Sequence, residues 1–223
     1  MQVIALGVAL VFGLFMPQAK AQPQVYEPGV HYQELSMPLP DADPDRVDVM
    51  ELFWYGCPLC YDLLPTFQIW ESSYRSSDMN FTRAPVIWNQ VMETHARLYL
   101  TADELNLVPL APKSSWEVTP TLHNAVFDAI HGDNKPLSSA PEIQPLFAAA
   151  GVTQDAFEAA WNSEAVERRL SEIKILSAPP ELTSLPALLV DGRYVITFNE
   201  SVKTSEDLYK VLNFLIVQIR NTK

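Results

Sequence analysis

The sequence predicts an α/β fold in which strands near both ends of the chain flank an inserted block of helices. Apolar and polar residues alternate along residues 47–53, and short apolar strand patterns return after residue 186. Between residues 88 and 177, apolar residues instead repeat with the helical period of about 3.6. If the outer strands belong to one sheet, the helices form a separate, all-helical domain inserted between them.

Composition excludes two broad classes of protein. Hydrophobic residues make up 48% of the 223 residues and five residues are tryptophan, which indicates an ordered globule rather than a disordered chain. Without Lys20, which falls in the predicted leader, the chain keeps 14 basic and 27 acidic residues, a net charge of −13. A body this acidic lacks the basic surface of a nucleic-acid-binding protein, so we expect no nucleic-acid partner.

Residues 1–21 have the pattern of a secretory signal peptide. An unbroken apolar run, residues 3–16, is too short to span a bilayer as an ordinary helix. Ala19-Lys20-Ala21 follows as a small-x-small cleavage pattern, which predicts cleavage after Ala21 and export of a soluble chain. No lysine or arginine precedes the apolar run, so an uncleaved membrane anchor is the alternative interpretation.

After the leader, the sequence predicts strand, helix and strand in turn. Residues 22–45 carry five prolines and form an extended lead-in, with one short strand at 32–35. Residues 47–53 alternate as a strand, 61–74 have a helical pattern, and 80–86 form a second strand. Residues 22–87 are therefore the first part of the strand-containing domain.

The helical block, residues 88–177, begins with one long amphipathic helix and continues through shorter helices with recognisable ends. The expected signals are Thr119 as an N-cap before Pro120, Gly132 as a stop, Ser139 with Glu142 as a capping box, Gly151 as a stop, Thr153 as an N-cap, and a last helix over 164–176.

Residues 178–223 return to the strand-containing domain. Two short strands are predicted at 187–190 and 194–196, with Asp191 and Gly192 between them as a tight hairpin turn. Ser205 is the expected cap of a final amphipathic helix.

The two cysteines, Cys57 and Cys60, follow the strand at 47–53 and open the next helix. The unpaired N–H groups and positive dipole of a helix start stabilise a thiolate there, and Pro58 takes the first helical position, which proline favours. Zinc would need further ligands, and the four histidines show no close ligand spacing, so we expect no metal. A structural disulfide would close too small a loop to stabilise the fold much. A redox-active dithiol fits an exported chain with no other cysteines.

Glu51 lies on the strand that leads to the cysteines, on the same face as Val47, Val49 and Phe53. A buried carboxylate costs free energy unless it is paired or protonated. The alternative is an edge strand, or a sheet with that face in water.

Four segments make the chain resemble the DsbA family of periplasmic thiol:disulfide oxidoreductases. They are ELFWYGCPLCY (51–61), HNAVFDAIH (123–131), AAWNS (159–163) and LPALLVDGRY (185–194), and their order spans nearly the whole exported chain. The resemblance implies a thioredoxin fold interrupted by a helical domain, no cofactor, and a periplasmic location.

The resemblance also implies roles for individual residues. Cys57 is the exposed nucleophile and Cys60 its buried partner, and Leu185-Pro186 is a cis-proline loop beside the disulfide that lines the substrate groove. Glu51 is a buried acid beneath the disulfide that mediates proton transfer to or from Cys60. Arg83, on the next strand, is the expected basic neighbour of Glu51.

The chain departs from the family in two places: the dipeptide between the cysteines and the length of one segment. Pro58-Leu59 stands where the family has Pro-His, so the imidazole that helps hold the first cysteine as a thiolate is absent. We therefore expect the pKa of Cys57 to lie between about 3.5, the DsbA value, and about 7, the thioredoxin value. Residues 106–118 are longer than is usual in the family and are interpreted as a tolerated surface insertion.

The predicted function is the oxidation of thiols in reduced, unfolded secreted proteins through Cys57 and Cys60, by a monomer that a DsbB-type, quinone-linked membrane protein reoxidises. The alternatives are an exported dithiol reductant or isomerase, a variant dedicated to one client, and a peptide-binding chaperone without redox turnover.

Overall fold

A computed structural model of the chain describes residues 25–39, 43–74, 79–108 and 121–223, with only the backbone described for 71–74. Its sheet has five strands in the order β1-β5-β4-β2-β3. Only β2 and β3 are parallel, and the pairs β2–β4, β4–β5 and β1–β5 are antiparallel. The strands are β1 (Gln33–Glu34), β2 (Val47–Phe53), β3 (Met79–Pro85), β4 (Ala187–Val190) and β5 (Tyr194–Thr197).

Two helices pack on one face of this sheet, α1 (Pro58–Tyr74) and, at the end of the chain, α7 (Ser205–Arg220). Val47 and Val49 of β2 share a buried apolar cluster with residues of both helices. Trp70 of α1 stacks on Tyr209 of α7, with ring centroids 5.7 Å apart and nearly parallel planes. Because β2 is the second strand from the β3 edge and is covered by these helices, its inward side chains are removed from water.

Within the described residues, five helices are inserted between β3 and β4, and we refer to them as the inserted helices. Their apolar faces close a second core around Phe127, Phe147 and Leu170 that is continuous with Leu52 and Phe53 of the sheet. They are α2 (Gln90–Glu104), α3 (Leu122–His131), α4 (Ala140–Ala149), α5 (Gln154–Trp161) and α6 (Glu164–Leu176).

The two connections between the sheet and the inserted helices meet at Ser177. The Ile87 N–H donates to the Ser177 hydroxyl at 2.9 Å, and the Trp88 indole donates to the Ser177 carbonyl at 3.2 Å. These hydrogen bonds join the entry of the helical block to its exit.

Three predicted helix starts were wrong in detail. Helix α3 is capped by Thr121, whose hydroxyl accepts from Asn124 N–H, rather than by Thr119, which lies outside the described residues with Pro120. Helix α7 is capped by Thr204 with Asp207, and Ser205 is its first residue. At α4 the expected capping box does not form, because Ser139 gives its hydroxyl to the Glu142 carboxylate instead of accepting a backbone N–H.

Other ends agree with the sequence. Thr153 caps α5 by accepting from Ala156 N–H, and Gly151 follows α4 with a φ of +85°. Asp191 and Gly192 both have positive φ, +54° and +63°, as a tight hairpin turn between β4 and β5 requires. At Gly192 a Cβ would also lie 2.6 Å from the Leu39 carbonyl oxygen, so the turn has no room for a side chain.

Helix α1 begins at Pro58, the predicted first helical position, and includes the whole predicted helical stretch at 61–74. The predicted leader, 1–21, and most of the segment at 106–118 lie outside the described residues. Within the described part of the chain, no helix combines the length and apolar character needed to cross a bilayer.

Candidate active site

Cys57 lies at the junction between β2 and α1. Its N–H donates to the Trp54 carbonyl at 3.0 Å, and its own carbonyl accepts the first backbone hydrogen bond of the helix from Tyr61 N–H. Pro58 occupies the first helical position, where its missing N–H costs no hydrogen bond. The turn therefore presents the Cys57 sulfur to the free N–H groups of the helix start.

The two cysteines are free thiols and lie in contact. The Cys60 N–H donates to Cys57 Sγ at 3.3 Å, and Cys57 Sγ is 3.6 Å from the Leu185 carbonyl oxygen. Cys57 is 8% exposed and Cys60 is fully buried. Cys57 is thus the more accessible thiol, but it is much less exposed than the resemblance implied, because the loop containing Leu185 covers it.

The pKa values of the two thiols move in opposite directions. The hydrogen bond from the Cys60 side chain, helped by backbone N–H groups of Cys60 and Leu59 and opposed by burial, lowers the pKa of Cys57 to about 7. Burial, and then the hydrogen bond to Cys57, raises the pKa of Cys60 above its ordinary value. Near neutral pH the reduced pair therefore ionises at Cys57, whose thiolate is stabilised by a Cys60 that stays protonated.

Glu51 and Arg83 form an ion pair inside the sheet. They are direct neighbours in the register of β2 and β3, and Arg83 Nε lies 2.8 Å from Glu51 Oε2. Glu51 is 2% exposed and Arg83 is 9% exposed. Glu51 is close enough for its charge to raise the pKa of Cys60, which connects the acid to the buried thiol.

The structure brings most of the predicted site residues together around the cysteines. The Leu185-Pro186 peptide bond is cis, as the resemblance implied, and the Leu185 carbonyl faces Cys57. Leu59 is 38% exposed, and it contributes a backbone N–H, but no charged side chain, to the Cys57 thiolate. Among the described residues, no three histidine, cysteine or carboxylate side chains converge as a metal site.

Three histidines of the inserted helices also contact the turn before Cys57, and the sequence did not identify them. The His123 ring lies 2.9 Å from the Tyr55 hydroxyl, and His131 Nε2 lies 2.8 Å from the Tyr55 carbonyl. His95 accepts a hydrogen bond from the Trp54 indole at 2.9 Å. The eight-residue spacing of His123 and His131, two turns of one helix, was the only available signal that they share a face.

Stacking reinforces this contact on the other side of the cysteines. The Tyr61 ring, next to Cys60, stacks on the His131 ring at 4.8 Å with planes only 9° apart. The Tyr61 hydroxyl donates to the Asp128 carboxylate at 2.9 Å. Helix α3 therefore contacts residues on both sides of the cysteine pair.

Comparison with known proteins finds similarity along most of the chain. Residues 49–210 match the family described as "DSBA-like thioredoxin domain". Thiol:disulfide interchange protein DsbA of Pseudomonas aeruginosa is 32% identical over 96% of this chain and 93% of its own length. The DsbA of Azotobacter vinelandii is 30% identical over 96% of this chain and 94% of its own length.

Solved structures agree with the sequence relatives. The crystal structure of Pseudomonas aeruginosa DsbA superimposes with a TM-score of 0.77 at 31% identity, covering 88% of this chain and 96% of that one. DsbA of Xylella fastidiosa gives a TM-score of 0.75 at 27% identity, covering 89% of this chain and all of that one.

Proposed function

This chain belongs to the DSBA-like thioredoxin domain family and is a thiol:disulfide oxidoreductase, and from that premise we propose that it oxidises exported proteins through Cys57 and Cys60. The observation that carries the dithiol–disulfide exchange is the asymmetry of the two thiols, and its oxidising direction is proposed from membership of the DsbA family. A Cys57 pKa lowered to about 7 makes its thiolate a good leaving group, while burial keeps Cys60 protonated. Stabilising the reduced form in this way favours oxidation of the client.

The exchange takes two steps. In the oxidised protein, a client thiolate attacks Cys57 Sγ, the Cys57–Cys60 bond breaks, and Cys60 leaves and takes up a proton. A second client thiolate then attacks the client sulfur of the mixed disulfide, and Cys57 leaves as a thiolate. The client loses two electrons and gains a disulfide, and the cysteine pair gains two electrons and becomes the dithiol of this structure.

Glu51 is the proposed proton carrier for Cys60. Cys60 is fully buried, so the proton that it gains or loses needs a nearby acceptor rather than bulk water. The Glu51 carboxylate is buried, and its charge acts on the pKa of Cys60. Arg83, whose Nε lies 2.8 Å from Glu51 Oε2, holds the carboxylate in place.

The remaining site residues are assigned to tuning and client binding. Pro58 starts the helix whose N–H groups stabilise the thiolate, and Leu59 sets how strongly it is stabilised. The client lies extended beside Leu185 and Pro186, whose loop already contacts Cys57. Backbone groups of such a loop recognise extended chains without selecting a sequence.

The cellular location of the protein and the oxidant that it needs are proposed from the predicted signal peptide and from the family. We propose that residues 1–21 are removed after Ala21, and that the protein acts in the periplasm as a monomer without metal or nucleic acid. Turnover requires an oxidant for the reduced pair, and a DsbB-type, quinone-linked membrane protein is the proposed one. Domain boundaries at 22–87, 88–177 and 178–223 are supported by the element order, since the inserted helices fall within the middle range.

Serine variants of the two cysteines test the chemistry. We expect Cys57→Ser to abolish oxidation of a reduced test protein, because no thiolate remains at the accessible position. Cys60→Ser should accumulate mixed disulfides through Cys57, visible on non-reducing gels and removed by dithiothreitol. A Cys57→Ser variant that still oxidises the test protein would show that the assignment of roles is wrong.

The same variants and one further measurement separate the alternatives. A peptide-binding chaperone would retain its activity as Cys57→Ser. A reductant or isomerase would be found mainly reduced in the cell, whereas an oxidase would be found mainly oxidised. Alkylation of free thiols after rapid acid quenching reports that redox state directly.

A further inference from the structure

The turn that precedes Cys57 is shaped by the side chain of Trp54. The indole lies so close over Gly56 that a Cβ at position 56 would be 2.3 Å from the ring. The Trp54 carbonyl accepts the Cys57 N–H at 3.0 Å. Since any real Cβ would displace the ring, the position of Trp54 and the absence of a side chain at residue 56 together fix how the chain enters α1.

His95 of α2 holds that indole in place. Trp54 Nε1 donates to His95 Nδ1 at 2.9 Å, and the rings are stacked with their planes 27° apart. An indole N–H can only donate, so Nδ1 must carry a lone pair and no proton. His95 Nε2 lies 3.0 Å from the Pro136 carbonyl, to which it donates its proton. Both ring nitrogens of His95 therefore take part in hydrogen bonds, and only the neutral tautomer with its proton on Nε2 satisfies both.

We propose that His95 is a positioning residue for the redox reaction: as a neutral imidazole on an inserted helix, it holds Trp54 over Gly56 and so fixes the turn that presents Cys57 to the start of α1. It touches neither sulfur. It acts through Trp54, and in this way it gives the inserted helices an effect on the stability of the Cys57 thiolate. The inference rests on Cys57 being the redox-active thiol, and it holds whether the pair oxidises or reduces its clients.

The same contact depends on the protonation state of His95. Burial lowers the pKa of His95, and backbone hydrogen bonds at Pro136 and Leu137 act in the opposite direction. Among the described residues, the titratable side chain whose ring packs against it is the phenol of Tyr55, at 6.3 Å between ring centroids. Burial holds the pKa of Tyr55 well above its ordinary value, so Tyr55 stays neutral. A proton on Nδ1 would face the indole N–H, which converts the hydrogen bond into a repulsive contact.

Two substitutions at His95 separate positioning from packing. His95→Leu fills the space without an acceptor, whereas His95→Asn places a carbonyl oxygen near the position of Nδ1. We expect His95→Leu to raise the Cys57 pKa and to shift the equilibrium with glutathione toward the oxidised protein by up to about five-fold, the factor that corresponds to one net hydrogen bond. His95→Asn should remain within about two-fold of wild type on the same scale.

Coupling to Trp54 gives a readout that a purely structural role would not produce. In a Trp54→Phe background the indole N–H is already lost, so adding His95→Leu should change the thiolate pKa and the glutathione equilibrium no further. Phe147→Leu, in the core of the inserted helices, is the control for general loosening, and it should leave both quantities as in wild type.

Three results would overturn the proposal: His95→Leu with wild-type thiolate pKa and glutathione equilibrium, an equal shift in Phe147→Leu, or additive effects of His95→Leu and Trp54→Phe. If His95→Leu does not fold, nitrogen-15 NMR of the wild-type protein decides. The proposal requires a protonated Nε2 and an unprotonated Nδ1 at neutral pH, and a Trp54 indole resonance that follows the titration of His95; the opposite tautomer or an unresponsive indole refutes it. Loss of function in Cys57→Ser tests the proposed function and is independent of these outcomes.

Discussion

At the start of α1, Leu59 contributes an apolar side chain beside the Cys57 thiolate. Leu59 lowers the Cys57 pKa only through its backbone N–H, which adds to the larger effect of the hydrogen bond from Cys60. We expect Leu59→His to lower that pKa from about 7 by roughly one to two units, because a nearby imidazole favours the thiolate. Each unit corresponds to about 1.4 kcal/mol, or about 30 mV in a two-electron couple, so the variant should be the stronger oxidant. Thiolate absorbance against pH and equilibration with glutathione measure both quantities.

Leu59→Met is the matched control, since it retains the apolar character and the backbone N–H. It should keep the wild-type pKa and redox potential. If Leu59→His behaves like Leu59→Met, the residue between the proline and the second cysteine does not set the redox potential of this protein.

Much of the site was accessible from the residues and their spacing, but its energetics were not. The position of Cys57 and Cys60 after a strand, and a carboxylate at Glu51, follow from local pattern. The Cys57 pKa of about 7 lies at the upper limit of the expected range, because burial opposes the hydrogen bonds that stabilise the thiolate. The degree of burial depends on the loop containing Leu185, which is 128 residues away in sequence.

At the scale of elements, β2 and β3 are linked by the buried pair Glu51–Arg83. We expect Glu51→Gln to lower the free energy of unfolding by about 3–5 kcal/mol, because it removes the carboxylate that faces the Arg83 guanidinium in a buried site. Urea unfolding of the reduced protein measures this loss. The variant should also slow the steps in which Cys60 gains or loses its proton, measured by stopped-flow tryptophan fluorescence.

The double variant Glu51→Leu/Arg83→Met separates stability from proton transfer. Apolar replacement of a whole buried ion pair is often neutral, so the double variant should recover most of the lost stability. It should not recover the rate of exchange, since no proton carrier has been restored. Recovery of both would mean that the pair is structural only.

Element types were predicted well and element ends less well. Apolar residues repeat about every two residues in a strand and every 3.6 in a helix. Such a repeat extends over many residues, so one exceptional residue does not change the predicted element type. A cap depends on one hydroxyl, and this chain offers neighbouring candidates, Thr204 beside Ser205 and Thr119 near Thr121. Tertiary packing sets the direction in which the chain enters the helix. That direction determines which hydroxyl accepts the backbone N–H. The same holds at Ser139, whose hydroxyl is drawn to the Glu142 carboxylate.

For the whole molecule, the two thiols make stability depend on redox state and pH together. The Cys57 pKa, about 7, lies below the ordinary 9.0, so its contribution to the reduced form is complete above pH 9 and is lost as pH falls through 7. The Cys60 pKa is raised, so its contribution is present below pH 9 and is lost as pH rises further. We expect the reduced form to gain roughly 1–2 kcal/mol over the oxidised form between pH 7 and pH 9, after allowance for solvent screening.

Thermal or urea unfolding of both redox forms at a series of pH values checks this expectation. The difference between the forms should rise to a maximum near pH 9 and then decline. The double variant Cys57→Ser/Cys60→Ser is the control and should lack the rise. A reduced–oxidised difference that is flat between pH 7 and pH 9 would contradict a stabilised Cys57 thiolate.

The insertion itself was predictable from the change of period, but the docking of the inserted helices on the active site was not. His95 contacts Trp54, which is 41 positions away in sequence, and His123 contacts Tyr55, which is 68 positions away. No local pattern encodes such a contact, and a histidine on an apolar helical face has the same appearance whether it meets solvent, core or a functional turn.

The insertion also determines the order in which the site can be assembled. Strand β2 can pair with β3 early, but its other neighbour, β4, lies beyond all five inserted helices, with Leu52 opposite Ala187. Closing so long a loop costs entropy, so this pairing is slow compared with the local formation of helices. Helix α7, whose Tyr209 stacks on Trp70 of α1, follows all of these elements in the chain. As the chain emerges from amino to carboxyl end during synthesis, its cysteines therefore remain in an unfinished environment, open to other oxidants and other thiols, until α7 has folded into place.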